Sequence, residues 1–202
     1  MKYCILKKQD AAPTDFVEFW AKMYNYGNET TYDKFIGQLT KESIRNLFAW
    51  KATGMNRTSI MAGKNQFVEI ILEKLDHFQN IPLNTPEDAD GFLTNELENK
   101  GMIWKIFTLH ILHPDKYPIF DQNVYRAMIY LKTGDIKEIP SKGKDKQQIY
   151  INEYLPFYDE HGYYEDRKLD KALFSFGRFL KRNLPGWEEC HRTQECCGMD
   201  GM

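Results

Sequence analysis

The stretch that decides the fold runs from Gly101 to Met128 and reads Gly-Met-Ile-Trp-Lys-Ile-Phe-Thr-Leu-His-Ile-Leu-His-Pro-Asp-Lys-Tyr-Pro-Ile-Phe-Asp-Gln-Asn-Val-Tyr-Arg-Ala-Met. Its first half is almost wholly apolar and predicts a buried helix, and Pro114 and Pro118 mark the loop that follows. A second helix, amphipathic in pattern, begins after this loop. Its apolar positions are Val124, Ala127, Met128 and Leu131. The stretch therefore predicts two helices and a loop that delivers one acid, Asp121, to the start of the second.

Helical periodicity continues on both sides of this stretch, so the sequence predicts an all-α fold. Thr40 with Ser43 is typical of a helix start, and a strong amphipathic pattern begins at Gln66. The acidic, turn-rich segment Asn84–Gly91 predicts a loop, and Thr133–Gln148 predicts an exposed linker. For the aromatic-rich segment that follows, up to Tyr164, helix is favoured over strand.

The size and charge of the chain limit the classes of protein to which it can belong. Its 202 residues are enough to bury a substantial core, and 27 basic against 29 acidic residues exclude a whole-protein attraction to nucleic acid. Any site for a polyanion must therefore be a local patch. The longest apolar run, Met102–Leu112, is far shorter than the roughly 20 residues that a bilayer requires. With no secretory signal recognisable at the N-terminus, we expect a cytoplasmic protein without membrane contact, and a monomer is favoured.

Cysteine and histidine spacing does not favour a metal site. Cys190, Cys196 and Cys197 crowd the end of the chain, without the second spaced pair of a zinc site. His110 and His113 are three residues apart with no third ligand nearby, which favours core or loop histidines. We expect neither a metal nor another cofactor.

Asp121 occupies the position of a helix N-cap, where free backbone amides and the helix dipole favour an ionised carboxylate. On the helix boundary alone, a structural cap worth about 1 kcal/mol is the simplest interpretation. The same residue would also be a good fixed negative charge or base. Both interpretations remain open at this point.

The last predicted helix, Arg167–Arg182, has one apolar and one basic face when its residues are placed at about 100° intervals. The basic stripe contains Arg167, Lys168, Lys171, Arg178, Lys181 and Arg182. Lys142, Lys144 and Lys146 form a second basic group. Either group is a candidate surface for phosphate, although a solvated outer face explains the stripe equally well.

The stretch Pro118-Ile-Phe-Asp-Gln-Asn-Val-Tyr-Arg126 resembles the helix-hairpin-helix-GPD superfamily of base-excision DNA glycosylases, in which a glycine-turn hairpin leads to a Pro-x-Asp loop and Asp-x-His-Val-x-Arg. Leu169–Arg178 is similar to a late helix of that family that ends in Gly-Arg. These two segments carry the resemblance, and the helical pattern of the rest of the chain is compatible with it. The sequence departs from the family in having a single hairpin glycine, Gly101, one extra residue before Asp121, and Asn123 in place of histidine. In the lyase members of the family, the position that corresponds to Ile103 is a lysine that forms a Schiff base. The nearby Lys105 is not expected to replace that lysine.

The resemblance implies a two-lobed helical fold of the glycosylase type and a monofunctional enzyme that hydrolyses the N-glycosidic bond of a flipped-out base in double-stranded DNA. The 202 residues would form one globular unit, with lobe one at 33–112 and lobe two at 1–32 plus 113–202. Asp121 would stabilise the charge on the sugar or act as a base. The substrate pocket would be formed by Trp104, Tyr117, Phe120 and Asn123. Contacts to DNA would come from Gly101, Lys105, Arg126, Arg167, Lys171, Arg178 and Arg182.

Two other functions remain compatible with the sequence. The scaffold would serve as a DNA-binding module if catalysis had been lost, which the single hairpin glycine and the missing histidine favour. It would serve as a protein-interaction domain if Asp121 were only a cap and the basic stripe faced an acidic protein.

Overall fold

The computed structural model describes residues 12–26, 28–52, 66–97, 101–161 and 167–183, and these ranges are helical without a strand. The all-α prediction is confirmed for this part of the chain. A π-helical segment, Tyr150–Tyr154, joins two of the helices. In chain order the helices are α1 Pro13–Lys22, α2 Glu29–Phe35, α3 Lys41–Ala52, α4 66–73, α5 Leu75–Asn80, α6 Pro86–Asn95, α7 Met102–Leu112, α8 Gln122–Thr133, α9 Gly143–Ile149, α10 Leu155–Glu160 and α11 Lys168–Asn183.

The central helix is α7, which is buried along most of its length because its sequence is apolar on nearly every side. Its one histidine is fully enclosed: His110 Nδ1 donates to the Tyr117 carbonyl at 2.7 Å, and Nε2 accepts from the Tyr32 hydroxyl at 2.7 Å. Burial lowers the pKa of His110 to about 3, so the ring is neutral. The prediction of a core histidine is confirmed.

Helices α1 and α8 pack against α11, and aromatic side chains fill the contact. Phe16 and Trp20 of α1 meet Phe176 of α11 with ring centroids 5.2 and 5.0 Å apart. Tyr130 of α8 reaches the same ring at 5.5 Å. The apolar face predicted for the last helix is thus the face that α11 buries. This three-helix layer holds both the start of α8 and the basic residues of α11.

Two segments differ from the sequence prediction. Asn84–Gly91 is not wholly a loop, because Thr85 and Asp88 form a reciprocal capping box that starts α6 at Pro86. The exposed linker Thr133–Gln148 contains most of α9, which begins at Gly143. The helix favoured after residue 148 is confirmed up to Glu160, and residues 162–166 lie outside the described ranges.

The buried apolar side chains form one continuous cluster that spans both proposed lobes. Helix α9 packs on α7, and the π-helical segment packs on α6, so the chain after residue 113 reaches across to the earlier helices. The lobe boundaries at 33–112 and at 1–32 plus 113–202 stay a prediction. Among the helices of the described ranges, none has the length and apolarity to cross a bilayer.

Candidate functional site

A cleft of about 950 Å³ opens where the loop after α1, the end of α3 and the starts of α7 and α8 meet the second half of α11. Apolar side chains form part of its wall, including Tyr26, Trp104 and Phe174. Its polar lining is strongly asymmetric in charge. Among the described residues that line it, the one acid is Asp121, and the cations are Lys51, Lys146, Arg178, Lys181 and Arg182. The cleft is therefore a local cationic patch on a nearly neutral protein.

Asp121 caps α8 with one carboxylate oxygen and presents the other toward a buried cation. Oδ1 accepts hydrogen bonds from the backbone amides of Asn123 at 2.8 Å and Val124 at 3.1 Å. Oδ2 lies 3.5 Å from Nζ of Lys51, and the side chain keeps 20% of its surface exposed. The cap interpretation of Asp121 is confirmed, and the residue also lines an open cleft.

Lys51 is a site residue that the sequence analysis did not identify. It lies in the last turn of α3 with its side chain only 7% exposed, and Nζ lies 5.5 Å from the centroid of the Phe107 ring. The Tyr26 hydroxyl donates to its carbonyl at 3.1 Å, which fixes the backbone there. A lysine at a helix end carries no motif, since only the tertiary fold brings it to Asp121.

The loop before Asp121 is held from behind by two tyrosines of the π-helical segment. The Tyr150 hydroxyl donates to the Pro118 carbonyl at 3.2 Å, and the Tyr154 hydroxyl donates to the Ile119 carbonyl at 3.2 Å. Asp170 of α11 accepts from the Ile119 backbone amide, and burial raises the pKa of this carboxyl to about 6. These contacts leave the loop little freedom to move Asp121.

The start of α8 is pressed directly against α11 at Gly177. A Cβ atom at this glycine would lie 1.9 Å from the carbonyl oxygen of Asn123, so no larger residue fits. Arg126 Nη1 donates to the Gly177 carbonyl and to Asn123 Oδ1, both at 3.1 Å. The Gly-Arg pair and the Asn-Val-x-Arg run therefore meet at one helix crossing, which fixes the first turn of α8.

A narrow inner pocket continues from the cleft past Asp121 and shares Tyr26, Lys51 and Phe174 with it. Arg167 lines this pocket, and its guanidinium lies 3.6 Å from the centroid of the Tyr32 ring. The remaining residues around it are Tyr24, Trp50, Ile119, Val124, Asp170 and Lys171. Aromatic rings and charged groups of both signs thus surround a space that connects with the carboxylate.

Several residues predicted from the sequence do meet in the cleft. They are Asp121, Gly101, Trp104, Asn123, Arg178 and Arg182. Gly101 precedes α7 as its N-cap, so the start of that 11-residue helix faces the cleft. Lys146, from the second basic group, also lines it, whereas Lys142 and Lys144 are exposed elsewhere.

Three predicted site residues lie elsewhere, and the prediction for them is wrong. Tyr117 lines a different depression and donates its hydroxyl to the Thr85 carbonyl at 3.2 Å. Phe120 is 1% exposed and packs between the rings of Tyr150 and Tyr154, because the loop turns it inward. Lys105 is buried and donates to the Leu93 carbonyl at 2.7 Å, so its ammonium joins α7 to α6.

The first residues of the basic stripe of α11 are held in ion pairs. Arg167 pairs with Glu29, and Lys171 Nζ lies 3.5 Å from the same carboxylate, so both side chains are mostly buried. Lys168 pairs with Glu18 and remains more exposed. Arg126 of α8 is 0% exposed and pairs with Glu138 at 2.6 Å. None of Arg126, Arg167 and Lys171 lines the cleft, and their contact with DNA stays a prediction. Arg178, Lys181 and Arg182 are the cleft-lining part of the stripe.

The described ranges contain no group of three or more histidine, cysteine, aspartate or glutamate side chains arranged to hold a metal ion. The cysteine-rich tail from Cys190 to Cys197 lies outside the described residues. Comparisons of the chain with protein-family models, curated proteins and solved structures find no match.

Proposed function

We propose that this protein is a DNA glycosylase that hydrolyses the N-glycosidic bond of a nucleotide turned out of double-stranded DNA, with Asp121 as the residue that acts on the sugar. The observation that carries the proposal is a half-satisfied carboxylate in a cationic cleft. Oδ1 caps α8, while Oδ2 is left to Lys51 and the cleft. A residue that served only as a cap has no need of an opening lined by five cations.

The charge distribution favours a polyanion as the ligand. Phosphate contacts dominate the affinity of proteins for nucleic acid, and they come from lysine, arginine and free backbone amides. Arg178, Lys181 and Arg182 approach the cleft from α11, and Lys146 approaches from α9. The start of α7 adds backbone amides beside Gly101. The phosphate backbone of a DNA strand that crossed the cleft would therefore meet cationic groups on more than one side.

The chemistry requires a negative charge beside the sugar. When the bond from C1′ to the base breaks, its electron pair leaves with the base and positive charge develops on the sugar. A preorganised carboxylate stabilises that charge without having to reorganise, and it can also orient the water whose oxygen bonds to C1′. The helix amides and the loop held by Tyr150 and Tyr154 supply the preorganisation.

The test compares two aspartates that each accept backbone amides at the start of a helix. Asp121→Asn removes the cleft carboxylate, whereas Asp88→Asn removes the N3 carboxylate of the α6 capping box, which is exposed and does not line the cleft. Each protein is incubated with duplexes carrying damaged, mismatched or hypermodified bases, and abasic sites are revealed by alkali cleavage. We expect cleavage by the wild type and by Asp88→Asn, and none by Asp121→Asn.

Binding measurements separate the remaining functions. The affinity for duplex DNA, followed by fluorescence anisotropy, should fall steeply with salt because cleft cations displace counterions from phosphate. Salt-dependent binding without cleavage of any duplex would favour the DNA-binding module. Absence of such binding would leave the protein-interaction domain and overturn the proposal.

A further inference from the structure

A second aspartate, Asp170, lies behind the loop that carries Asp121. It belongs to the first turn of α11, is 5% exposed, and lines the inner pocket but not the cleft. Its carboxylate accepts a hydrogen bond from the Ile119 backbone amide, two residues before Asp121. The Tyr154 hydroxyl lies 3.4 Å from its Oδ1. Asp170 therefore holds the loop of the proposed site without lying where DNA would enter.

Charged groups of both signs surround the Asp170 carboxylate. Arg167 Nη1 lies 4.0 Å from Oδ2, and Lys51 also favours the ionised form, whereas Asp121 opposes it. Lys171 lines the same pocket and shares Glu29 as a partner with Arg167. The Lys51 ammonium is thus attracted by two carboxylates, Asp121 and Asp170.

The neutral ionisable side chains of this region keep their charge state over the pH range in which Asp170 changes its own. Burial lowers the pKa of His110 to about 3, so this ring stays neutral. Burial also raises the pKa of the neighbouring tyrosines, which are Tyr24, Tyr32, Tyr150 and Tyr154. Burial raises the pKa of the Asp170 carboxyl to about 6, although Arg167 acts in the opposite direction. Asp170 therefore gains or loses a proton in weakly acidic solution.

The cation beside Asp170 is held in place at a cost to the backbone. Arg167 has φ 54°, in the left-handed region that residues with a side chain rarely adopt. Such a conformation persists where the surrounding contacts determine it. Here the guanidinium pairs with Glu29 and lies over the Tyr32 ring. The position of the positive charge that faces Asp170 is therefore fixed by the fold.

A proton on Asp170 would weaken the proposed site in three ways that act in the same direction. The Ile119 amide would lose an ionised acceptor, so the loop would be held less firmly. Lys51 would be left with Asp121 as its carboxylate partner and would neutralise more of its charge. The inner pocket would also carry one negative charge fewer, so the positive charge that develops on the sugar would be stabilised less.

We propose that Asp170 is a positioning residue whose ionised form is required for Asp121 to act, so that one buried proton regulates base hydrolysis. The inference rests on the proposed function, because the regulated step is the one assigned to Asp121. Asp170 acts through the Ile119 amide and through Lys51, and it does not contact the DNA.

The test is the pH dependence of abasic-site formation under single-turnover conditions, on a duplex that the wild type cleaves. Because the pKa of Asp170 is raised to about 6, the wild-type rate should be constant above that pH and fall below it. We expect a fall of about tenfold, the effect of one modest charge interaction in the transition state. Asp170→Asn should have the low rate at every pH. Asp76→Asn, which removes an exposed acid from the first turn of α5, is the matched control and should behave as the wild type.

Two further measurements distinguish regulation by a proton from a merely structural role. Arg167→Gln removes the positive charge that favours ionised Asp170, so the fall in rate should move to higher pH. A structural role of Asp170 gives no reason for that displacement. The affinity of Asp170→Asn for duplex DNA, measured by fluorescence anisotropy, should equal that of the wild type because Asp170 does not line the cleft.

Each outcome decides for or against the inference. A wild-type rate that is the same on both sides of this pH would overturn it and leave the proposed function standing, and that measurement does not depend on a variant that folds. A folded Asp170→Asn that keeps both the wild-type rate and its fall at acid pH would overturn it as well. A wild type that forms no abasic sites on any duplex would overturn the proposed function and the inference together.

Discussion

The starts of α6 and α8 each contain an aspartate that accepts backbone amides, and the two helix starts are built differently. At the start of α6, the Asp88 carboxylate accepts hydrogen bonds from the backbone amides of Asn84 and Thr85, both at 2.9 Å. The Thr85 hydroxyl accepts from the Asp88 backbone amide, which completes a capping box. At the start of α8, Asp121 uses one oxygen for the amides and turns the other to Lys51. The first end is a local structure, and the second is assembled from distant parts of the chain.

The difference teaches that a cap and a site carboxylate are distinguished by what surrounds them. Partners of the Asp88 carboxylate lie within four residues of it, so its geometry follows from the local sequence. Asp121 depends on Lys51 from α3, on tyrosines from the π-helical segment, and on the α11 crossing. Changes remote in sequence should therefore disturb the start of α8.

The largest effect is expected from a methyl group at the crossing of α8 and α11. In Gly177→Ala the new Cβ would lie 1.9 Å from the Asn123 carbonyl oxygen, so one of the two helices must shift. We expect the free energy of unfolding to fall by about 3 kcal/mol, at the upper end of the usual cost of overpacking. Urea unfolding measures this loss, and abasic-site formation should fall with it because Asp121 moves with Asn123.

The matched control is the glycine inside α6. A Cβ at Gly91 would meet nothing within 4 Å, so Gly91→Ala should raise the free energy of unfolding by roughly 0.5–1 kcal/mol through helix propensity. Equal stability of the two variants would contradict the close approach at Gly177. Retention of full activity by a destabilised Gly177→Ala would show that the crossing does not position Asp121.

The sequence predicts the helices around this site better than the side chains that line it. Asp121 could be predicted as a cap because a Pro-bounded loop and an amphipathic pattern frame it, and the buried face of α11 could be predicted from its apolar periodicity. Both signals are local. The all-α architecture follows from the same kind of evidence, since helical periodicity is visible within a window of a few turns.

The direction of side chains in loops and at helix ends could not be predicted in the same way. Tyr117 and Phe120 are aromatic residues of the kind that often line pockets. The side chain of each points away from the cleft instead, because of tertiary contacts that the sequence does not show. Lys51 is one basic residue at the end of an ordinary helix. Arg167 carries the charge expected of a phosphate ligand, yet Glu29, far away in sequence, holds it inside.

A smaller effect is expected from removing one hydroxyl behind the Asp121 loop. Tyr154 donates to the Ile119 carbonyl at 3.2 Å and is fully buried, so Tyr154→Phe leaves that carbonyl short of a donor. We expect a loss of about 1–2 kcal/mol in urea unfolding, the usual cost of an unsatisfied buried group. Because the loop carries Asp121, abasic-site formation should decline further than stability alone explains.

Tyr117→Phe is the matched variant at the other helix start, where the hydroxyl donates to the Thr85 carbonyl at 3.2 Å. It should lower stability by a similar or smaller amount and leave abasic-site formation unchanged. An equal decline in activity in both tyrosine variants would mean that the loop does not depend on the π-helical segment.

The smallest effect is expected in how the stability of the protein changes at acidic pH because of the capping box of α6. Hydrogen bonds from the amides of Asn84 and Thr85 hold the pKa of Asp88 below its usual 3.8. A carboxyl whose pKa is lower in the folded state stabilises the protein above the unfolded pKa, and that stabilisation is lost as pH falls through the folded pKa. The difference in unfolding midpoint between the wild type and Asp88→Asn should therefore be constant near neutral pH and narrow below pH 3.8.

Glu87→Gln is the control, because it removes an acid from the same first turn without changing the two amide contacts. The difference between the two variants therefore gives the stability that the amide contacts contribute. A difference for Asp88→Asn that persists unchanged into strong acid would contradict the local cap, and with it the contrast between the two helix starts.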